Sequence, residues 1–531
     1  MALVVELALL IFITVVSRLM FLTVNVTSAP NSDALFHLWY SKKFFKEEGR
    51  SFNKKKFKGS IIDGNIHYPP LIHFLLSFLP DKYILLAGYL LNILFDSMNA
   101  VFIYFAGFLI FDAVETPITA SSFSLSFYLS LVWASCPLLH PVNARLTGIG
   151  ARTLGPFLTN LYFFGLYFVI NGSYLSVAIC LLSLLLIILS SQFALQVVLV
   201  FSLVLSIIYK SYLVFLLPVV FVIIVVSLNV AGIRKQMLAK WQHLKWYFDK
   251  RSNPDTLSRG SIDKIVKYFR SLNGNFAGSV YGVLTDVPVV VTFVLYPMLW
   301  MFVFVVFCGG EPLISQLYDN AIFFYCLSVV ASSFVVFFVT IKKPFSAIGE
   351  AERYVEYAVP FLSVLFVVAC SYTNFSLLPI LVVVNMSFVM LNIFLFNHYV
   401  FERNVKCFND VQTAELVDCI VKHSSGNIIS IPIKLSFKFG LYLDQNKFKL
   451  YYPMFFEEVG GYNFSFDDCE KYDMINRDVI SVVNKYDVDL LVLDKDYYMN
   501  AYVAQVGQAD FSGLVSIFEN DKYQVFSSHK S

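Results

Sequence analysis

The chain has 531 residues, of which 58% are hydrophobic and only 14% are charged. Soluble globular proteins carry about 25% charged residues, so much of this chain must face lipid rather than water. The formal net charge of +2 provides no basic field of the kind that attracts nucleic acid, and we therefore exclude nucleic acid as a partner. The composition predicts a polytopic α-helical membrane protein in a lipid bilayer.

Eleven apolar runs approach or reach the length of about 20 residues that crosses the hydrocarbon core. They cover residues 2–24, 83–111, 119–139, 153–171, 173–190, 192–209, 212–230, 287–308, 321–340, 355–372 and 376–400. We predict about eleven transmembrane helices in a membrane domain of residues 1–401. Two polar loops interrupt the runs, at 25–70 and 231–286. Both follow an odd-numbered run, so both lie on the same side, and the second is amphipathic like a helix on the membrane surface.

The composition changes beyond Phe401. Helical patterns at 414–422 and 475–486 alternate with short apolar strand patterns at 427–433, 488–493 and 522–526. This alternation predicts a small soluble α/β domain of residues 402–531. The domain contains no glycine-rich phosphate loop, no nucleophile elbow and no metal-ligand spacing, so we assign it no catalytic role.

The first loop carries residue types that are suited to acid–base chemistry. Asp33 and His37 are four positions apart, so they share one face if this segment is helical. A carboxylate just above the membrane can act as a general base or hold a divalent metal. Asp is also a favoured helix N-cap, and capping stays open as an alternative role. The loop ends with Asp63, His67 and the motif Tyr68-Pro69-Pro70-Leu71.

Basic residues recur beside the apolar runs. The residues that we single out are Arg145, Arg152, Lys342, Arg353 and Tyr354. Arginine at membrane depth costs free energy unless it snorkels to the interface or meets an anion, and its guanidinium group matches phosphate oxygens in a two-pronged geometry. We predict a phosphate-binding role for Arg145 and Arg152. For Lys342, Arg353 and Tyr354, a role in binding the donor is implied by the family resemblance described below. The alternatives are snorkelling for Arg145 and Arg152, and a structural ion pair between Arg353 and Glu356.

Asp96 lies inside the second apolar run. A carboxylate at membrane depth is a candidate functional residue by default, because it must face the protein interior or a polar partner. A hydrogen-bonded structural residue explains the position equally well, so the sequence leaves both roles open.

The first-loop motifs resemble those of the GT-C superfamily of glycosyltransferases, which are membrane enzymes that use polyprenyl-phosphate-linked sugars. The resemblance depends on Asp33-x-x-x-His37, shortly after the first apolar run, and on Tyr68-Pro69-Pro70-Leu71 about 30 residues later. The body of many spans and the C-terminal α/β domain fit the same layout. The segment from Asn31 to His37 is most similar to the oligosaccharyltransferase-like branch.

The resemblance implies an inverting glycosyltransferase of the oligosaccharyltransferase and mannosyltransferase kind. Its donor would be a sugar on a polyprenyl phosphate or diphosphate, and its acceptor a glycan, lipid or protein. Asp33 matches the first-loop acidic residue of the superfamily, which serves as catalytic base or metal-linked carboxylate. The second acidic residue that the superfamily often has after the third span is missing here, and Asp63 or His67 would supply it. No cofactor is certain, the metal ligands are unknown, and a divalent metal stays open as an alternative.

Two arguments disagree about the orientation in the membrane. The first loop holds eight Lys and Arg residues and the 231–286 loop holds ten. Loops rich in these residues usually lie in the cytoplasm, so counting charges places both loops there. The resemblance instead places both loops and the C-terminal domain on the extracytoplasmic side of the plasma membrane, where lipid-linked donors are presented. We predict the second orientation, because the basic residues recur beside the candidate site in three separate loops.

The alternative function is a polytopic transporter or a flippase for lipids or glycolipids. Transporters often have paired broken helices at corresponding positions in two halves. The sequence shows no such pair, and a C-terminal α/β domain fits a transporter less well than a glycosyltransferase.

Overall fold

A computed structural model describes the chain apart from the following residues: 1, 28–31, 51, 53–56, 63, 65, 112–122, 141–148, 150, 251–264, 267–268, 271–275, 343–344, 346–347, 374–375, 403–410, 424, 453–467, 472–473 and 529–531. The chain divides into two compact units. The helical unit comprises Met1–Thr27, Leu86–Leu228 and Asp255–Val405. The sheet unit comprises Ser28–Leu85, Asn229–Pro254 and Lys406–Ser531.

The α-helices of the described residues are, in chain order, α1 Ala2–Thr27, α2 Ser32–Trp39, α3 Leu71–Leu76, α4 Asp81–Phe111, α5 Leu125–Ser135, α6 Ala151–Ile170, α7 Tyr174–Ser190, α8 Gln192–Ile208, α9 Leu213–Ser227, α10 Ile233–Lys250, α11 Phe276–Asp286, α12 Pro288–Val294, α13 Pro297–Asp319, α14 Ala321–Thr340, α15 Ala351–Glu356, α16 Val359–Tyr372, α17 Leu377–Glu402, α18 Val411–Lys422, α19 Leu435–Gly440, α20 Val479–Lys485, α21 Lys495–Tyr497 and α22 Val503–Gln505. Two π-helices, Tyr40–Glu47 and Tyr498–Tyr502, continue α2 and α21. Short 3-10 turns lie at Pro137–Leu139 and Val230–Gly232.

Each predicted apolar run overlaps at least one of these helices. Among the described residues, six helices are long and apolar enough to cross a membrane alone, and a bent pair formed by α9 and the segment up to Gln242 raises this number to seven. Helices α5, α7, α8 and α16 are apolar but shorter. The prediction of an integral membrane protein is thereby confirmed, whereas the number of about eleven spans stays a prediction.

The helical unit is organised around α16. Every residue from Val359 to Cys370 is buried, because the helix is apolar on all sides and packs against α5, α13 and α14.

Hydrogen bonds between polar side chains fix neighbouring helices of this unit in register. Thr153 Oγ1 donates to Asn92 Oδ1 and Asn160 Nδ2 donates to Asn99 Oδ1, each at 3.0 Å, and both bonds join α4 to α6. Such bonds contribute to helix association where no water competes for the polar groups.

Asp96 forms a buried ion pair in this unit. Its Oδ2 lies 3.1 Å from Nε of Arg18, and both side chains are fully buried. Arg18 Nη1 also donates to the carbonyl of Ala134 at 2.6 Å and lies 3.2 Å from Nε2 of His140. His140 Nδ1 lies 2.9 Å from the Cys136 carbonyl oxygen, which can only accept, so His140 Nε2 accepts from Arg18. These contacts join α1, α4 and the end of α5, which favours the structural role for Asp96.

The sheet unit contains every strand that occurs among the described residues. They are β1 Gly426–Ile431, β2 Phe448–Leu450, β3 Cys469–Lys471, β4 Met474–Ile475, β5 Leu490–Asp494, β6 Val515–Glu519 and β7 Tyr523–Ser527. Five of them form a sheet in the order β2-β1-β5-β7-β6, in which β1 is parallel to β2 and β5, while β7 is antiparallel to β5 and β6. The predicted C-terminal helices and strands are confirmed as α18, β1, α20, β5 and β7, with their ends shifted by a few residues.

Residues of the first loop extend this sheet. The Ile61 N–H donates to the Leu450 carbonyl at 3.1 Å, and the Leu450 N–H donates to the Gly59 carbonyl at 2.9 Å. Helix α2 packs against α19, and Trp39 Nε1 donates to the Tyr452 hydroxyl at 3.0 Å. The first loop and the C-terminal residues therefore form one folded unit, although more than 300 residues separate Ile61 from Leu450.

Gly440 makes this close packing sterically feasible. A Cβ atom at this position would lie 2.4 Å from the Tyr452 hydroxyl and 2.8 Å from Trp39 Nε1. Any larger residue would push α19 away from the aromatic side chains that hold α2 in place.

Candidate functional site

Helix α2 carries the predicted Asp33 and His37 pair. Both positions lie within Ser32–Trp39, one turn apart, so the helical spacing expected from the sequence is present. The Asp33 side chain, and the whole of Asp63 and Arg145, lie outside the described residues. His37 is half-buried, and its Nδ1 lies 2.7 Å from Nε2 of His73. The two imidazole rings are stacked with their centroids 5.0 Å apart.

The Tyr68-Pro69-Pro70-Leu71 motif lies against α2. The Tyr68 ring packs edge-on against His37 with a centroid distance of 5.7 Å. The Tyr40 hydroxyl lies 3.3 Å from the carbonyl oxygen of Ile66 and 3.5 Å from that of Tyr68. These contacts fix the backbone of the segment that contains the motif. His67 lies half-buried within the same segment. The structure therefore brings the two first-loop motifs together, although about 30 residues separate them in sequence.

His73 is a polar neighbour of His37 that the sequence analysis did not single out. It is fully buried in α3, and its Nδ1 lies 3.1 Å from the Pro69 carbonyl oxygen. Burial, followed by the nearby His37, lowers the pKa of His73 well below its ordinary value, and the Pro69 carbonyl opposes this only in part. His73 is thus neutral at neutral pH. The sequence did contain one indication of this contact. His73 lies four residues after Pro69, and at that spacing in a helix its ring can reach the Pro69 carbonyl one turn back.

A second group of predicted residues meets in the helical unit. Arg152 Nη2 lies 3.1 Å from Glu350 Oε2, and Arg353 Nη1 lies 3.9 Å from the same oxygen. The Arg353 guanidinium covers the Phe193 ring, 3.9 Å from its centroid. We call Arg152, Phe193, Glu350 and Arg353 the arginine cluster. The charged side chains of this cluster are 19% to 28% exposed, so an anion at the surface can reach them.

Gly349 permits its own backbone to approach the Phe193 ring closely. Its φ of +147° is rarely adopted by residues with a side chain, and a Cβ atom there would lie 2.7 Å from the Phe193 ring. Both the backbone conformation and the available space therefore require glycine immediately before the carboxylate that the two arginines share.

The other predicted donor-binding residues differ in exposure. Tyr354 is fully buried, and its ring centroid lies 4.9 Å from that of Phe193, so it supports the cluster from within the core. Lys342 follows α14 and has an exposed side chain. Glu352 and Glu356 of α15 are buried at 2% and 5% exposure, which leaves Glu350 as the most accessible carboxylate of this segment.

A metal site would need several ligating side chains within reach of one point. Among the His, Cys, Asp and Glu residues that the structure describes, no three converge in this way. The Asp33 and Asp63 side chains are not among them.

The chain is similar in fold to the crystal structure of ArnT from Cupriavidus metallidurans bound to undecaprenyl phosphate. The similarity covers 100% of this chain and 98% of that chain, with a TM-score of 0.50 and 11% identical residues. This chain therefore shares the fold of ArnT, and at this identity the similarity shows the fold alone. No protein-family model matches the sequence, and no curated protein matches it. The resemblance drawn from the first-loop motifs is therefore confirmed at the level of the fold.

Proposed function

We propose that the protein is an inverting membrane glycosyltransferase that moves a sugar from a polyprenyl-phosphate- or diphosphate-linked donor to a lipid, glycan or protein acceptor. The observation that carries the proposal is the arginine cluster, in which two guanidinium groups approach one accessible carboxylate oxygen. Guanidinium groups bind carboxylate and phosphate with the same geometry. The undecaprenyl phosphate bound to ArnT, a protein of similar fold, supports a polyprenyl phosphate as the ligand.

The donor phosphate would take the place of the Glu350 carboxylate between Arg152 and Arg353. As the bond between the anomeric carbon and the phosphate oxygen breaks, the electron pair stays on that oxygen and negative charge develops there. Fixed guanidinium groups stabilise this charge more in the transition state than in the ground state, which lowers the barrier. Lys342 and Arg145 are further proposed contacts of the phosphate.

The proposed reaction also needs an acceptor hydroxyl. Its oxygen attacks the anomeric carbon on the face opposite to the leaving phosphate, and this single displacement inverts the configuration. The acceptor proton must be removed as the new bond forms, and Asp33 and His37 are the proposed groups that orient the acceptor and take the proton. Asp63 and His67 remain the proposed partners of Asp33.

We also propose a location in the plasma membrane with the first loop and the C-terminal residues on the extracytoplasmic side. The grouping of Ser28–Leu85, Asn229–Pro254 and Lys406–Ser531 into one compact unit requires these segments to share one side of the membrane. The choice of the extracytoplasmic side is supported by the resemblance of the first-loop motifs to enzymes whose lipid-linked donors are presented there.

The proposal is tested by measuring binding of undecaprenyl phosphate to the purified full-length protein in nanodiscs. Arg152→Gln and Arg353→Gln should each weaken binding about 10-fold to 100-fold, because a hydrogen bond to a charged group contributes roughly 1.5–3 kcal/mol. Arg477→Gln is the matched control, since it removes the same charge from an exposed position in the sheet unit. Equal binding by all four proteins, or no binding by the wild type, would contradict the proposal.

A further inference from the structure

The stacked histidines of α2 and α3 form part of a directed hydrogen-bond chain. The Pro69 carbonyl lies 3.1 Å from His73 Nδ1, and His73 Nε2 lies 2.7 Å from His37 Nδ1. Both distances are within the range of N–H···O and N–H···N hydrogen bonds. The chain therefore connects a backbone carbonyl, a buried imidazole and a half-buried imidazole in series.

The direction of each bond follows from its acceptor. A carbonyl oxygen has no proton to donate, so His73 Nδ1 carries the proton of the first bond. A neutral imidazole has one N–H, so His73 Nε2 has a lone pair and accepts the second bond. His37 Nδ1 must then be the donor. In the neutral form of His37 this leaves Nε2 with the lone pair.

We infer that His73 is a positioning residue that fixes His37 in the Nδ1–H tautomer, so that His37 Nε2 receives the proton released by the acceptor hydroxyl. This inference rests on the proposed glycosyl transfer. The proton leaves the acceptor oxygen as the bond to the anomeric carbon forms, directly or through Asp33 one turn earlier on α2. It departs to water when the product leaves, so no further reactant is needed.

The packing around the pair holds both rings in place. His73 is fully buried, and the Tyr40 ring meets it edge-on at a centroid distance of 4.8 Å. The Phe36 ring lies 5.2 Å from His37. A ring enclosed in this way keeps the orientation that its hydrogen bonds require, which is how an outer histidine can set the tautomer of its neighbour.

Several charged and titratable groups lie on the elements that adjoin the two histidines. Burial raises the pKa of Tyr40 far above its ordinary value, so its hydroxyl stays protonated. Lys43 pairs with Glu47 at 2.9 Å in the π-helix that follows α2. On α19, Lys438 donates to the Thr413 hydroxyl at 2.8 Å. Asp81 pairs with both Lys42 and Lys46. The remaining titratable groups are Asp33 on α2 and His67 and Tyr68 in the motif.

Two substitutions at position 73 separate positioning from packing. In His73→Gln, the side-chain carbonyl can still accept from His37 Nδ1–H. In His73→Leu, the space is filled but no acceptor remains. The full-length protein in nanodiscs is labelled with ¹⁵N-histidine, and the His37 signals are assigned from their loss in His37→Gln. Nitrogen chemical shifts then report which ring nitrogen carries the proton.

We expect the Nδ1–H tautomer for His37 in the wild type and in His73→Gln, and loss of this preference in His73→Leu. The transfer rate of His73→Leu should fall about 10-fold to 1,000-fold, with the acidic limb of its pH–rate profile displaced and the KM for donor unchanged. His73→Gln should stay within about 3-fold of wild type, since the acceptor is restored. A purely structural role would change stability but leave the pH–rate profile of the folded fraction unaltered.

An Nε2–H tautomer of His37 in the wild type would overturn the inference, and this result needs no folded variant at position 73. A His73→Leu protein with a wild-type rate and pH profile would overturn it as well. The tautomer measurement requires no substrate. If the protein transferred no sugar while His37 still showed the Nδ1–H tautomer, the proposed function would fail and the positioning geometry would stand.

Discussion

Glu350 should compete with the donor phosphate at the proposed site. Its carboxylate lies between Arg152 and Arg353, where the donor phosphate would bind, so the two anions compete for the same groups. Glu350→Gln should tighten the binding of undecaprenyl phosphate about 2-fold to 5-fold, as expected for the loss of a partly exposed ion pair. Binding constants in nanodiscs measure this effect. Glu311→Gln, at an exposed position of the same unit, should change nothing, and weaker binding by Glu350→Gln would show that the carboxylate does not compete.

His73 makes the stability of the sheet unit sensitive to acid. Its folded-state pKa lies well below the ordinary value of 6.5, so the unfolded chain binds a proton here that the folded chain does not. Stability should therefore be fully present above pH 6.5. It should fall by up to about 1.4 kcal/mol per pH unit as the pH drops from 6.5 towards the folded-state pKa.

Thermal melting of wild type and His73→Gln between pH 7.5 and 5 measures this contribution. Glutamine does not titrate, so the melting temperature of the variant should decline less steeply on acidification. Parallel declines in the two proteins would mean that His73 is protonated in the folded state, which would also contradict the tautomer argument.

Residue-level prediction from sequence succeeded where a local spacing fixes the geometry. The separation of Asp33 and His37 by four positions placed both on one helix, and α2 has this form. The ion pair between Arg353 and Glu350 was not predicted, because it depends on how the segment before α15 folds. Glu350 is the N-cap residue of α15, and from there its carboxylate approaches the Arg353 guanidinium. His73 was missed because it ends an apolar motif, where histidine has no distinctive pattern.

At the level of elements, the buried ion pair between Arg18 of α1 and Asp96 of α4 allows the role of Asp96 to be tested. Removing one partner of a buried ion pair leaves the other charge uncompensated, so Asp96→Asn should cost about 3–5 kcal/mol of stability. Ser97→Ala is the control, because this neighbouring hydroxyl bonds only locally to the Ile93 carbonyl one turn back. The melting temperature of purified protein gives the comparison. Loss of transfer activity with an unchanged melting temperature would instead assign Asp96 a functional role.

Helices were predictable from apolar runs because burial in lipid or in the core requires the same residue types. This ambiguity also explains why their number as spans stays a prediction. Helix α16 has an apolar run like the others, yet it is 14 residues long and buried almost throughout. The amphipathic pattern after residue 231 predicted a helix, and α10 is present with Trp241 66% exposed, as a surface helix would show.

For the whole molecule, the sheet unit constrains the topology. Its three segments fold together, so an even number of membrane crossings must separate each segment from the next. The six apolar runs predicted between the two loops, and the four that follow, satisfy this condition. Sequence composition predicted a C-terminal soluble domain but not that this domain folds together with the first loop. The two segments are joined in part by backbone hydrogen bonds, such as that between Ile61 and Leu450, and backbone groups are the same in every residue type except proline.

Orientation is tested by labelling engineered cysteines in intact cells. Lys58→Cys and Ser512→Cys place thiols at exposed positions of the sheet unit, in a background in which Cys308, Cys407 and Cys419 are replaced by serine. A membrane-impermeant thiol reagent should label both. Asn171→Cys, exposed between α6 and α7 and predicted to lie on the other side, should react only after permeabilisation. The reverse pattern would place the sheet unit in the cytoplasm, as charge counting predicts.

Whether the protein is an enzyme or a transporter is also a question about the whole molecule. The structural similarity to ArnT extends over 100% of this chain, including the C-terminal residues that fit a transporter poorly. A transporter or flippase would move its lipid without altering it, so its loss would redistribute a glycolipid between leaflets. A glycosyltransferase changes the covalent composition of the lipid pool, and this difference can be measured.

Mass spectrometry of polyprenyl-linked sugars in cells with and without the protein tests the central claim most directly. Removal should cause a polyprenyl-phosphate- or diphosphate-linked sugar to accumulate and its glycosylated product to disappear. Wild-type protein should reverse both changes. Asp33→Asn should be present in the membrane at normal amount but transfer sugar at least about 100-fold more slowly, the scale expected for a lost general base. An unchanged pool of lipid-linked sugars after removal, or full restoration by Asp33→Asn, would contradict the account.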